Sequence, residues 1–247
     1  MNKSKIAAII NLIVCTAMIS LNAVAGSKGL FGNTVGDISN QLGNFFTPAG
    51  YAFSIWSIIF LSQLILAVYF LNEVFRKNSS RHDKTLKYYV KIHLANMLWI
   101  ICWHSFEIAI SAVVMLLLLF YLTTLFINNK GRNQKGILKW STDLYFGWIA
   151  VATVANITAF LVKIEWNAVF FSEQLWAVIM VCAACILYLI MVLKEKSWIF
   201  GLVGVWALLA IAVKQSGEVS SIFYTAIIAT ILISISVIFT LFKVATK

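Results

Sequence analysis

The chain has 247 residues, 62% of them hydrophobic and only 11% charged, with a mean hydropathy of +0.92. A water-soluble globule is nearer half apolar and a quarter charged, so there is too little polar surface here to clothe a sphere of this size in water. The formal charge of +10 does not indicate nucleic acid as a partner, because the cations gather between apolar runs, as in cytoplasmic membrane loops.

A helix that crosses the bilayer needs roughly 20 mostly apolar residues. Eight runs are candidates, at residues 6–25, 49–71, 89–103, 108–127, 144–162, 175–193, 198–213 and 221–242. The fold class expected is therefore all-α, a polytopic integral membrane helical bundle of about eight transmembrane helices. The third run is short and carries His93 and Asn96, and a seven-span alternative follows if residues 89–127 hold one crossing. Loop charge favours eight. Cut this way, 16 of the 19 Lys and Arg fall on one side, and only Lys28, Lys163 and Lys214 on the other. By the positive-inside rule this predicts a multi-pass protein of the cell membrane with both termini in the cytoplasm.

In chain order, Lys3 and Lys5 precede the first run, which ends in Ala23-Val24-Ala25, the form of a signal-peptide cleavage site. The run is longer than the usual signal core of roughly 7–15 residues, so it is expected to remain as a span. Residues 26–46 are rich in Gly, Asn and Ser and suit a solvated external loop over the bundle mouth. Pro48, the one proline in the chain, is expected to open the second span, where its missing N–H costs nothing.

Helical spacing groups the polar and aromatic residues of three spans. Pro48, Ala52, Trp56, Ile59 and Gln63 share a face of the second, with Tyr51 alongside. His93, Asn96, Trp99 and Trp103 share a face of the third, and Tyr145, Trp148, Ala152 and Asn156 one of the fifth. Polar groups inside a bilayer usually look into the bundle, so the three faces are expected to wall one cavity. The competing interpretation is that Asn96, Asn156 and Gln63 only tie helices together by hydrogen bonds.

Other polar residues invite simpler explanations. His93 lies near the basic loop and reads as an interfacial histidine, and His104 with Glu107 as a solvated turn. Trp140, Trp166 and Trp198 fall at span ends, where indoles sit at headgroup level. Glu165, Glu173, Lys163 and Lys214 collect on the external side with no pairing that the spacing fixes. Cys182-Ala-Ala-Cys185 lies in mid-membrane without a second pair, so neither zinc nor redox chemistry is expected of it. No phosphate loop, dinucleotide fingerprint or hydrolase motif occurs. No catalytic residue, metal site or enzymatic activity is therefore expected.

Three stretches carry a family resemblance. Thr47-Pro48-Ala49-Gly50-Tyr51-Ala52-Phe53-Ser54-Ile55-Trp56, then Leu94-Ala95-Asn96-Met97-Leu98-Trp99, then Leu144-Tyr145-Phe146-Gly147-Trp148 with Asn156 resemble, in order, the P-x-G-W-x-F-x-x-x-W, L-x-N-x-x-W and P-Y-L-x-W…N motifs of the TspO/MBR family of tryptophan-rich sensory and translocator proteins. Tyr51 stands for the family's Trp, and Asp143 near the place of its Pro. The likeness covers roughly residues 1–167, implying a TspO-like five-helix bundle there and a three-helix membrane extension over 168–247.

The resemblance further implies a sensory or regulatory protein that binds a flat hydrophobic ligand, a porphyrin or other tetrapyrrole or a sterol-like molecule. The implied ligand-binding residues are Pro48, Tyr51, Trp56, Asn96, Trp99, Trp103, Tyr145, Trp148 and Asn156. Apart from a porphyrin- or haem-like ligand no cofactor is expected, and the implied partners are membrane lipid, the ligand and a second copy in a homodimer. A small-molecule permease and a porphyrin-degrading membrane enzyme are the alternative functions.

Overall fold

In hydrocarbon no water is at hand for backbone amides, so a spanning segment must close its own hydrogen-bond ladder. A computed structural model describes residues 3–27, 29–77, 82–130, 136–166 and 171–245, and the apolar runs among them are helices. These are α1 (Lys3–Ser27), α3 (Ile55–Lys77), α4 (Asp83–His104), α5 (Ile108–Lys130), α6 (Ile137–Lys163), α7 (Glu173–Leu193), α8 (Trp198–Gln215) and α9 (Ser220–Ala245). A short α2 (Val35–Gln41) lies between α1 and α3, and Gly50–Ser54 forms a 3-10 turn. Among the described residues seven helices, all the long ones except α4, are both long and apolar enough to cross a membrane.

α4 falls short in composition, not in length. Its 22 residues rise about 33 Å at 1.5 Å each, enough for roughly 30 Å of hydrocarbon. Lys84, Lys87 and Lys91 are exposed in its first half, while Tyr89, His93 and Asn96 turn to the protein interior. The Tyr89 hydroxyl lies 2.7 Å from Thr142 Oγ1, His93 Nε2 lies 3.3 Å from Gln63 Oε1, and Asn96 accepts from Asn22 at 2.9 Å. The outward residues Leu94, Leu98 and Ile101 are apolar. Mean hydropathy therefore understates α4, because it averages an inward polar face with a lipid-compatible one.

The chain divides into two compact units, Met1–Ile38 with Ser54–Tyr145, and Ser39–Phe53 with Phe146–Lys247. In the first, α1 buries Ser4, Ala8, Asn11, Cys15, Met18, Asn22 and Ala25, alternately four and three apart, which is a single seam along the helix. α1 packs on α3 and α4, and α4 packs on α5. The turn from α4 to α5 closes through Ser105 N donating to Ile101 O and Glu107 N to Cys102 O, with Phe106 at positive φ. Ser105 and Glu107 are exposed there. His104, expected in water, is buried and its Nδ1 lies 2.8 Å from Ile100 O, because it still belongs to the last turn of α4.

α2 starts with a reciprocal cap. Asp37 N donates to Thr34 Oγ1, while the Thr34 hydroxyl and amide donate to Asp37 Oδ2 at 2.7 and 2.9 Å. Those bonds hold the Asp37 carboxyl below its ordinary range.

The second unit contains α7, α8, α9, the rest of α6 and residues 39–53. α8 and α9, α7 and α9, and α7 and α8 pack pairwise. Pro48 lies just before the second candidate span, Gly50–Arg76, which opens as a 3-10 turn before the α-helix begins at Ile55. The segment before it is held to α8. Ala49 N donates to Ala210 O at 3.0 Å, Trp206 Nε1 to Ala52 O at 3.0 Å, and Gln215 Nε2 to Phe45 O at 3.0 Å. Backbone groups that an early helix start would satisfy internally are satisfied here by α8.

Candidate ligand-binding site

The nine expected binding residues fall into two groups. Trp56, Asn96, Trp99, Trp103 and Tyr145 belong to the first unit, and Pro48, Tyr51, Trp148 and Asn156 to the second.

In the first unit the rings form one contiguous cluster. Trp99 sits between Trp56 and Trp103, stacked on each with centroids 5.6 and 6.1 Å apart and ring planes at 28° and 27°. Tyr145 meets Trp56 edge-on at 6.0 Å, and Phe60 stacks on Trp56 at 5.3 Å. All four expected aromatics are buried. Helical spacing accounts for this. Trp99 and Trp103 are one turn apart on α4, and Trp56 lies two turns from Gln63 on the face of α3 that meets α4. The Trp103 indole also donates to Val35 O at 3.4 Å, fixing the start of α2 to the end of α4.

Polar groups line the same cluster. Asn22 Nδ2 donates to both Met18 O and Asn96 Oδ1 at 2.9 Å. Asn96 is also the polar neighbour of the Tyr145 hydroxyl. Both Asn96 Nδ2 and Tyr145 Oη are buried, and neither atom has a hydrogen-bond partner elsewhere. A buried polar pair so thinly satisfied is uncommon in folded proteins and calls for an explanation. Below them Gln63 Nε2 donates to Ser141 Oγ at 2.8 Å while Gln63 Oε1 faces His93. His93 is thus a buried helix–helix contact, where an interfacial histidine was expected.

In the second unit Trp148 and Asn156 are buried, as their shared face on α6 leads one to expect. Phe53 meets Trp148 edge-on at 6.3 Å, and Tyr51, which is 43% exposed, meets Trp206 edge-on at 5.3 Å. Pro48 lies beside these in the segment that α8 holds.

The family described as TSPO-like protein matches residues 8–239. The chain belongs to the TSPO-like protein family. The match runs from α1 well into α9 and so takes in both compact units. Comparison with curated proteins and with solved structures gives no significant match.

Two features of this TSPO-like chain escape sequence reasoning. Asn22, the partner of Asn96, sits in an apolar run that also resembles a signal peptide. Its place on the α1 seam with Cys15 and Met18 was the available clue. The other is a cavity of about 540 Å³ inside the second unit, lined in part by Trp166 and Trp176 and by none of the nine expected residues. Trp166 needed no role beyond a headgroup anchor when read from its position at a span end.

Proposed function

We propose that this TSPO-like protein is a membrane receptor for a flat hydrophobic ligand of the porphyrin or sterol-like class, with a sensory or regulatory role. The site proposed is the aromatic cluster of α3, α4 and residues 137–145 of α6. One observation carries the reading. Asn96 Nδ2 and Tyr145 Oη, polar neighbours with no hydrogen-bond partner elsewhere, are buried beside the stacked indoles of Trp56, Trp99 and Trp103. A conjugated disc offers those rings stacking area, and acceptors at its edge complete the hydrogen bonding of the Asn96 amide and the Tyr145 hydroxyl. The indoles stack on one another, so a ligand enters by exchanging ring–ring contact for ring–ligand contact.

The test is a titration of protoporphyrin IX into the full chain in detergent, read by the porphyrin's own absorbance shift so that removing a tryptophan does not change the signal. Saturable binding is expected, weakened about tenfold by Asn96→Ala and again by Trp99→Leu, each worth about 1.4 kcal/mol. Trp140→Phe, at an exposed span end, should bind as the wild type does. Unchanged affinity in both Asn96→Ala and Trp99→Leu rejects this site.

We also propose eight crossings with both termini cytoplasmic. In a background with the four free cysteines replaced, Glu107→Cys should react with an impermeant maleimide in intact cells. Lys84→Cys should react only after permeabilisation. Labelling of both from one side would mean that α4 does not cross.

A further inference from the structure

The cavity of the second unit has walls and charges of a different kind from the cluster just described. Its volume of about 540 Å³ is that of a small-molecule pocket, which usually spans roughly 300–1,000 Å³. Trp166 and Trp176 contribute to its lining with centroids 5.5 Å apart and ring planes at 58°, so they present two differently directed faces. Phe46 and Met180 add apolar, polarisable surface. Glu165 and Glu173 bring two carboxylates to the same lining.

Neither carboxylate side chain has a hydrogen bond or ion pair with a described residue. The local backbone explains how each is presented. Glu165 ends α6 in a left-handed conformation, φ 53°, closed by Glu165 N to Val162 O and Trp166 N to Leu161 O. That is the helix stop in which glycine is the usual residue, and here it is occupied by an acid that faces the next helix. Glu173 stands in the first turn of α7, behind the Ser172 cap that accepts from Leu175 N at 3.2 Å. The amino-terminal end of a helix favours its ionised form.

We propose that this cavity is a binding site for an organic cation with a hydrophobic body, an ammonium or phosphonium seated on the Trp166 and Trp176 faces and neutralised by Glu165 and Glu173. Indole faces attract cations through the ring quadrupole, most strongly where water is excluded. The two acids, both exposed, supply the countercharge for a cation that gives up part of its hydration there. An anionic or neutral ligand of the same shape gains the apolar walls and meets uncompensated negative charge. The site shares no residue with the aromatic cluster of the first unit, so it stands or falls apart from the porphyrin proposal.

The experiment compares two ions of one shape and opposite charge. Tetraphenylphosphonium and tetraphenylborate are titrated by calorimetry into the full chain in dodecyl maltoside, with protein-free micelles as the partition blank. Saturable phosphonium binding is expected, at least tenfold tighter than any binding of the borate. It should weaken at least tenfold in E165Q/E173Q, whose exposed substitutions leave the packing alone. It should weaken in Met180→Trp, which narrows the cavity, provided that variant melts as the wild type does. Adding short-chain phosphatidylcholine distinguishes the sources of the cation. Competition means that a lipid's choline group occupies the site, and no competition means a free amphiphile. Equal affinity for the two ions, or undiminished phosphonium binding in E165Q/E173Q, overturns the proposal.

Discussion

Gly204→Ala should destabilise this protein by about 3 kcal/mol, the upper end of what overpacking a core costs. A Cβ built on Gly204 meets the Tyr188 ring at 2.5–2.8 Å on three of its carbons. Real Cβ contacts are never that short, so something must move. The ring has little freedom to do so. Tyr188 is buried, its hydroxyl donates to Gly147 O at 2.9 Å, and Phe200 packs against it with centroids 5.1 Å apart. Moving the ring therefore breaks a buried hydrogen bond as well as its packing. Gly201, one turn earlier, faces the same problem against Val192 and, at 2.6 Å, Val237. The two glycines are what let α8 approach α7 and α9 so closely, which suits membrane helices that associate through small residues at the interface.

A double-mutant cycle separates this from a general effect of altering α8. In a Tyr188→Ala background the ring is gone, and adding Gly204→Ala should cost less than about 1 kcal/mol, a coupling of the size seen between residues in contact. Thermal melting in detergent, followed by loss of the monodisperse peak, is a sufficient readout. A Gly204→Ala variant that melts with the wild type would show that α7 and α8 do not approach this closely.

The spacing of Gly201 and Gly204 does not match the small-xxx-small pattern of helix dimers, and their use is within the chain. This illustrates what one sequence reveals and what it conceals. Periodicity is local, so it correctly sets Trp99 with Trp103, and Tyr145 with Trp148, on common helix faces. Apolar runs likewise locate the eight long helices, of which α4 alone is not apolar enough to count as a span by composition. Partners are not local. Nothing near Asn96 in sequence names Asn22, 74 residues away, as the group it accepts from. Nor does anything near Pro48 announce that residues 49 and 52 bond to α8, more than 150 positions on. That bonding is why the α-helix starts at Ile55 and not at the proline. The cavity of the second unit was hidden for a related reason. Glu165 and Trp166 end one helix and Glu173 and Trp176 begin the next, so each pair alone resembles an ordinary interfacial span end.

The polar network under the indole cluster leads to the other large effect, Gln63→Leu. Gln63 is buried and joins three helices, donating from Nε2 to Ser141 Oγ on α6 while its Oε1 faces His93 Nε2 on α4. An amide oxygen only accepts, so the imidazole donates and its proton sits on Nε2. His93 Nδ1 is already buried without a partner. Leucine at position 63 would leave both ring nitrogens stranded. The bonds themselves are a small part of the cost, since polar pairs between membrane helices average only about 0.6 kcal/mol. Stranding a buried polar group costs about 1–3 kcal/mol, and that decides the outcome. A loss of about 2 kcal/mol is expected in Gln63→Leu. Ser141 is spared because Ser62 Oγ remains 3.0 Å from its hydroxyl. If stranding is the cause, Gln63→Leu/His93→Leu should melt above the single variant, since replacing both partners by apolar groups is nearly neutral. If instead the lost bonds dominate, the double variant should melt no higher than the single one. Recovered stability need not restore the register of α3 on α4, because apolar contacts are less directional than the bonds they replace. The stacking of Trp56 on Trp99 reports that register. Its near-ultraviolet circular dichroism should therefore stay altered in the double variant after the melting temperature has returned.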